Sequence, residues 1–221
     1  MTGTGTRWAL FAIGAVALAV AFAPPLEAAA DTSLAAHMVQ HMIAIAVAGP
    51  LIAFAPVPGA VPRALRHPVV VWTVAMGTLW AWHAPALFLA GLDNPALHVL
   101  EHATFLAGSV LFWRTIVHPD PGARLSPGAA LAVIFAATLG SGALGALLTF
   151  ASVPLYPGQW SGTLAGTLSP LEDQQLAGVV MWVPGGIVYL GAAAAVFVRW
   201  LRALERASDD RPNLDRMGTT P

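Results

Sequence analysis

The chain has 221 residues, of which 57% are hydrophobic and only 10% charged, against the roughly half apolar, quarter charged mix of a soluble domain. A formal net charge of −1 leaves no basic surface for phosphates and excludes nucleic acid as a partner. With no cysteine at all, disulfides, thiolate metal sites and cysteine nucleophiles are removed together. The 18 prolines and 21 glycines punctuate apolar stretches, which predicts an all-α, polytopic transmembrane helix bundle in a lipid bilayer.

Crossing a hydrocarbon core about 30 Å thick takes roughly 20 apolar helical residues. About six segments approach that length: Trp8–Ala23, His37–Phe54, Val69–Leu89, Ala96–Val117, Pro127–Phe150 and Gln175–Leu201. Between them lie the helix-breaking stretches Pro24-Pro25, Pro56-Val57-Pro58-Gly59, Asp93-Asn94-Pro95 and His118-Pro119-Asp120-Pro121-Gly122, then a longer loop around Pro154, Pro157, Gly158 and Trp160. Residues 1–206 read as one transmembrane domain. From 207 to 221 the polar run through Ser208, Asp209, Asp210 and Arg211 reads as a flexible cytoplasmic tail. The first span follows Arg7, is short and ends near Ala-Phe-Ala, so a cleaved signal peptide is its alternative reading.

Orientation follows from the arginines, since there is no lysine and positive charge collects on the cytoplasmic side. Arg7, Arg63, Arg66, Arg114, Arg124, Arg199, Arg202 and Arg206 all map to one face, with Arg211 and Arg216 in the tail beyond it. The opposite loops carry Glu27, Asp31, Asp93, Glu172 and Asp173. Both termini are therefore expected in the cytoplasm and the spans even in number.

That topology sorts the seven histidines. His67 and His118 fall in cytoplasmic loops, where solvent or headgroup contact explains them. His37 and His41, His83, and His98 and His102 converge at similar depth toward the outer face. His37/His41 and His98/His102 are i, i+4 pairs, which stack on one helix face with Cβ atoms about 5–6 Å apart, so each pair offers two nitrogen ligands to one metal ion. Glu101, inside a span, is costly enough to be functional by default; it would ligate directly or accept the second N–H of a liganded histidine. Met38 and Met42 follow His37 and His41 directly, and thioether is a soft ligand that favours Cu(I). Met76 and Met181 fall near the same region, although methionine is also a common filler of apolar helices. Asp173, with Gln174 and Gln175, either caps a helix or closes the site. The candidate metal ligands are thus His37, His41, His83, His98, Glu101, His102, Met38, Met42 and Asp173.

Two pattern matches are set aside. Gly140-Ser141-Gly142-Ala143-Leu144-Gly145 fits a dinucleotide fingerprint but lies inside an apolar helical run with no preceding strand, so close helix packing is the better reading. His98-x-x-Glu101-His102 has the order of a zinc-hydrolase motif, but it is short and would serve any metal.

The motifs in order are His37-Met38-x-x-His41-Met42, Trp82-His83-x-Pro85-x-Leu87-Phe88, His98-x-x-Glu101-His102-x-x-Phe105-Leu106 running to Phe112-Trp113, and Asp173-Gln174-Gln175-x-x-Gly178-x-x-Met181-Trp182. Together they resemble the multi-span CtaG-like family of cytochrome c oxidase assembly factors over roughly His37 to Tyr189. The resemblance implies a non-enzymatic factor of the bacterial plasma membrane that helps copper reach a haem–copper oxidase, with oxidase subunits or another copper chaperone as partners; the methionines point to Cu(I) as the form carried. It also implies one span more than the six counted, leaving seven open. It does not extend to the single-span copper chaperones that share the name, which use a cysteine pair. Three other functions remain: haem ligated by facing histidines, a zinc-dependent intramembrane hydrolase with Glu101 as base, and a scaffold for oxidase subunits.

Overall fold

A computed structural model describes residues 3–56, 61–118, 120–156 and 168–209. Pro157, Gly158 and Trp160 of the long loop, and the tail from 210 onward, lie outside the described residues. The helices are α1 Thr4–Ala21, α2 Pro24–Ala30, α3 Leu34–Met42, α4 Gly49–Ala53, α5 Pro68–Trp82, α6 Pro85–Asp93, α7 Pro95–Val117, α8 Pro127–Thr149 and α9 Pro170–Asp209, with a π-helical segment Ile43–Ala48 joining α3 to α4. No strand occurs among the described residues. The chain is the expected polytopic helical bundle: α1, Leu34–Ala53, α7, α8 and α9 are each long and apolar enough to cross a membrane.

Local sequence explains the boundaries. Proline opens α2, α5, α6, α7 and α8, at positions where its missing N–H costs nothing and its fixed φ suits the first turn. The Asn94 side chain accepts from Ala96 N at 2.9 Å and Leu97 N at 3.3 Å, capping α7. The Ser33 hydroxyl accepts from Ala36 N at 3.3 Å and caps α3.

The third expected span is not one helix. Pro85 pushes Ala84 out of the helical region (φ −65°, ψ 129°), so the stretch Val69–Leu89 divides into α5, only 15 residues long, and the separate α6. The break falls at His83. A second irregularity follows the first histidine pair. Pro50 has no N–H for the carbonyl of Ala46 and its ring crowds that oxygen; the chain widens into a π turn in which Gly49 N–H donates to Ala44 O. Ser109 on α7 donates to the Ile45 carbonyl of this segment at 2.6 Å. Its hydroxyl fills the space a Cβ on Gly49 would need.

Polarity is distributed as lipid solvent requires. Large apolar side chains point outward, with Val99 69%, Phe135 65% and Leu190 72% exposed, while His37, Gln40, His41, Glu101, Asp173 and Gln174 are almost fully buried. The glycine run of α8 is a packing seam. A Cβ on Gly178 of α9 would come within 2.6 Å of Gly145 O, and a Cβ on Gly145 within 2.8 Å of Trp182 Cβ. Likewise α1 packs against the second span at Gly14, where a Cβ would meet Leu51 Cβ at 3.0 Å.

One end of the bundle is held by arginines. Arg7 donates to Phe54 O and Ala55 O, both at 2.9 Å, and Arg114 to Ala55 O at 3.0 Å. Both guanidinium groups thus satisfy the otherwise orphaned carbonyls where the second span ends. Arg66 donates to Gly122 O at 2.8 Å at the same end. His67 is exposed as expected, but His118 is buried; its Nδ1 accepts Asp120 N at 3.2 Å, so it organises the turn rather than facing solvent. The opposite end carries Glu27, Asp31 and Asp173, and the candidate site lies just below it.

Candidate metal centre

Helices α3 and α7 both start at the acidic end and run in the same direction, which brings their histidine pairs into register. His37 and His41 lie one turn apart with ring centroids at 4.5 Å, as do His98 and His102. Across the interface His37 stacks on His98 at 5.4 Å, and His41 meets His102 at 4.8 Å. His83, at the α5–α6 break, reaches His41 at 5.9 Å. Had Val69–Leu89 been one straight helix, Pro85 would not have freed the chain to turn at that point.

Glu101 lies among them. Its Oε1 is 3.7 Å from His41 Nε2, too long for a hydrogen bond. Gly91 on α6 leaves the space for the carboxylate, since a Cβ there would stand 3.2 Å from Glu101 Oε2. Ligand atoms of His37, His98 and Glu101 all lie within 4.8 Å of one another, and so do those of His41, Glu101 and His102.

Second partners set the tautomers. Nδ1 of His83 is 2.7 Å from Leu79 O, and Nδ1 of His102 is 3.0 Å from His98 O. A carbonyl can only accept, so Nδ1 carries the proton and Nε2 keeps its lone pair. The Nε2 atoms of His41, His83, His98 and His102, with Glu101 Oε1, are buried and have no hydrogen-bond partner among the described residues. A buried acceptor left unmade costs about 1–3 kcal/mol. Several together in one spot are what a cation-binding site looks like before its ion is considered.

The cluster divides two cavities. On the acidic side a cavity of about 340 Å³ is lined by Glu27, Asp31, His37, Gln40 and His98. On the other side, toward the middle of the bundle, a mostly apolar cavity of about 50 Å³ is lined by His41 and His83 and by three methionines, Met42, Met76 and Met181. Aromatic rings wall the cluster: Phe105 packs on His41 at 4.9 Å, Phe22 on His102 at 4.9 Å and Phe88 on His37 at 5.7 Å.

His83 lies outside both ligand groups, and two more of the expected ligands sit elsewhere. Met38 is fully buried in the apolar core and lines neither cavity. Asp173 stands apart from both ligand groups. Its Oδ2 accepts Leu34 N at 2.6 Å and its Oδ1 accepts Ser33 Oγ at 2.8 Å, so it caps α3, a different helix from its own. Of the two readings open for Asp173, the cap is the one its contacts describe. Gln174 accepts Leu155 N at 2.6 Å and Gln175 donates to Ala151 O at 3.1 Å, pinning the segment after α8 over the site. From that segment Tyr156 donates to His83 O at 2.9 Å and packs on Phe88 at 4.2 Å.

Tyr156 and Gln40 escaped the sequence reading, and Glu27, expected only as an outer-loop acid, lies in α2. Gln40 Nε2 donates to Glu27 Oε2 at 2.7 Å and to Ala21 O at 3.0 Å, tying α2 and the end of α1 to the histidine helix. The signal for Gln40 was its position between His37 and His41 on an apolar helix. Tyr156 carried no such signal.

The description "cytochrome c oxidase caa3 assembly factor" belongs to a family model (Caa3_CtaG) that matches residues 3–203. No curated protein and no solved structure matches the chain. The matched range takes in α1 and all five histidines of the cluster, and reaches to within a few residues of the end of α9. The chain therefore belongs to the cytochrome c oxidase caa3 assembly factor family.

Proposed function

We propose that this assembly factor binds Cu(I) as cargo at the outer side of the bacterial plasma membrane and passes it toward a haem–copper oxidase, acting as a carrier rather than an enzyme. One observation carries the reading: ligand atoms of His37 and His98, and of His41 and His102, converge on the Glu101 carboxylate, and the buried Nε2 atoms of His41, His98 and His102 have no hydrogen-bond partner among the described residues. His37 shares the same cluster. Neutral imidazoles with one carboxylate suit a transition metal, and the adjoining Met42, Met76 and Met181 favour the soft Cu(I) state. The arginines at the opposite end support the outer placement. In this reading the histidines would hold the ion, Glu101 would supply the compensating negative charge, and the aromatic wall would exclude water. Asp173 acts on the site by fixing α3, and Met38 by packing.

The hydrolase alternative requires a zinc-bound water with an open position, whereas the carrier requires reversible release. Copper analysis of the purified, anaerobically loaded protein tests the proposal. About one Cu(I) per chain is expected, falling below a tenth when His41→Gln and His98→Gln are combined, which removes one ligand from each group. A wild-type protein that takes up no copper, or a Soret band in its spectrum, overturns it.

A further inference from the structure

We infer that the cluster is not one site but two successive cation stations that share Glu101, arranged as a relay from the acidic cavity to the methionine-lined cavity. The inference rests on the copper reading above and adds a direction and a route to it. Because α3 and α7 run parallel and in register, the histidines form two layers. His37 faces His98 in the layer nearer the acidic end, and His41 faces His102 one turn deeper. Each layer together with Glu101 holds its ligand atoms within 4.8 Å of one another, so each layer can take an ion by itself. Glu101, three residues after His98 and one before His102, belongs to both ligand groups.

Each layer opens on a different space. His37 and His98 line the 340 Å³ cavity together with Glu27, Asp31 and Gln40, while His41 lines the 50 Å³ cavity together with His83 and the three methionines. The Oε1 of Gln40, fully buried on the wall of the acidic cavity, has no hydrogen-bond partner among the described residues and is a further oxygen donor there. The donors thus soften along the path: carboxylate and amide oxygens, then the two imidazole pairs that share Glu101, then the methionines with His83 beside them. A soft cation gains affinity at each step inward. The ion remains Cu(I) throughout, one set of ligands being exchanged for the next, and no electron or covalent bond is transferred. With a single carboxylate serving both layers, one ion occupies the pair at a time.

The test uses the full chain in detergent, loaded anaerobically with Cu(I) and stripped with a water-soluble Cu(I) chelator. His102→Ala, which disables the deeper station, is expected to keep one copper but release it at least tenfold faster than wild type. His98→Ala, which disables the first station, is expected to keep one copper but to load at least tenfold more slowly. Asp31→Arg, a change at an exposed residue, is expected to slow loading several-fold. If either histidine variant elutes as wild type yet holds no copper, the cluster is a single site and the relay falls. It falls equally if both variants exchange at the wild-type rate, and unchanged loading in Asp31→Arg overturns the approach through the acidic cavity. A wild-type chain that binds no copper defeats the copper reading itself, which separates the two failures.

Discussion

The Asp173 carboxylate accepts the backbone N–H of Leu34 at 2.6 Å, across 139 residues of chain. The last span thereby holds the first turn of the helix that carries His37 and His41. Removing this carboxylate orphans the Leu34 N–H and the Ser33 hydroxyl in a buried setting and deletes a favourable charge at a helix N-terminus, at a cost of about 1–3 kcal/mol. Asp173→Ala should lower the midpoint of thermal unfolding by several degrees and reduce copper occupancy although no ligand is lost. A variant with wild-type melting would show that the cap does not hold α3.

Glu101 is the one acid shared by both ligand groups. Glu101→Gln preserves size and removes the charge, so Cu(I) affinity measured by chelator competition should fall about 10- to 100-fold while the helical content is retained. A variant that keeps full metal affinity and loses a hydrolytic activity would point to the zinc enzyme instead.

Tyr156 lies over the site from a segment that the sequence marks only as loop. Tyr156→Phe keeps the stacking on Phe88 and removes the hydrogen bond to His83 O. The expected loss is about 1 kcal/mol of stability, accompanied by faster copper release as the segment loosens. Release at the wild-type rate would separate Tyr156 from control of the site.

The α8–α9 seam predicts a contrast between two glycines of one helix. A Cβ on Gly178 meets backbone atoms of Gly145 and Thr149 at 2.6 Å, whereas Gly186 has open space around it. Gly178→Ala should destabilise by about 1–3 kcal/mol, and Gly186→Ala should be neutral or stabilising by up to about 1 kcal/mol. Thermal unfolding of the two variants side by side checks this.

Because the chain has no cysteine, single-cysteine variants report topology without background. Asp31→Cys should react with a membrane-impermeant maleimide on intact cells, and Leu65→Cys only after permeabilisation. The reverse pattern would invert the bundle and place the cluster near the cytoplasm.

What the sequence determined by itself is what depends on near neighbours along the chain. Apolar length and segregated arginines were sufficient for a polytopic bundle with an acidic and a basic end. The i, i+4 spacing was sufficient to put His37 with His41 and His98 with His102, because four residues of α-helix return to the same face whatever surrounds them. Even the small-residue run from Gly140 to Gly145 could be read as a seam, since only glycine lets two helix backbones approach so closely.

Tertiary structure decided which faces meet, and that is not a local property. Nothing in the spacing says that Asp173 caps a helix begun 139 residues earlier, that the third span breaks so His83 can turn toward His41, or that Pro50 relieves its clash through a π turn rather than a kink. Those outcomes depend on which partners are within reach once the helices pack. The same packing assigned the methionines: Met38, Met76 and Met181 all lie in the apolar core, but Met38, next to His37 in sequence, lines neither cavity, while Met76 and Met181, from distant helices, line the one below the histidines. Adjacent residues on a helix point about 100° apart, so adjacency to a ligand predicted less than a shared depth in the bundle.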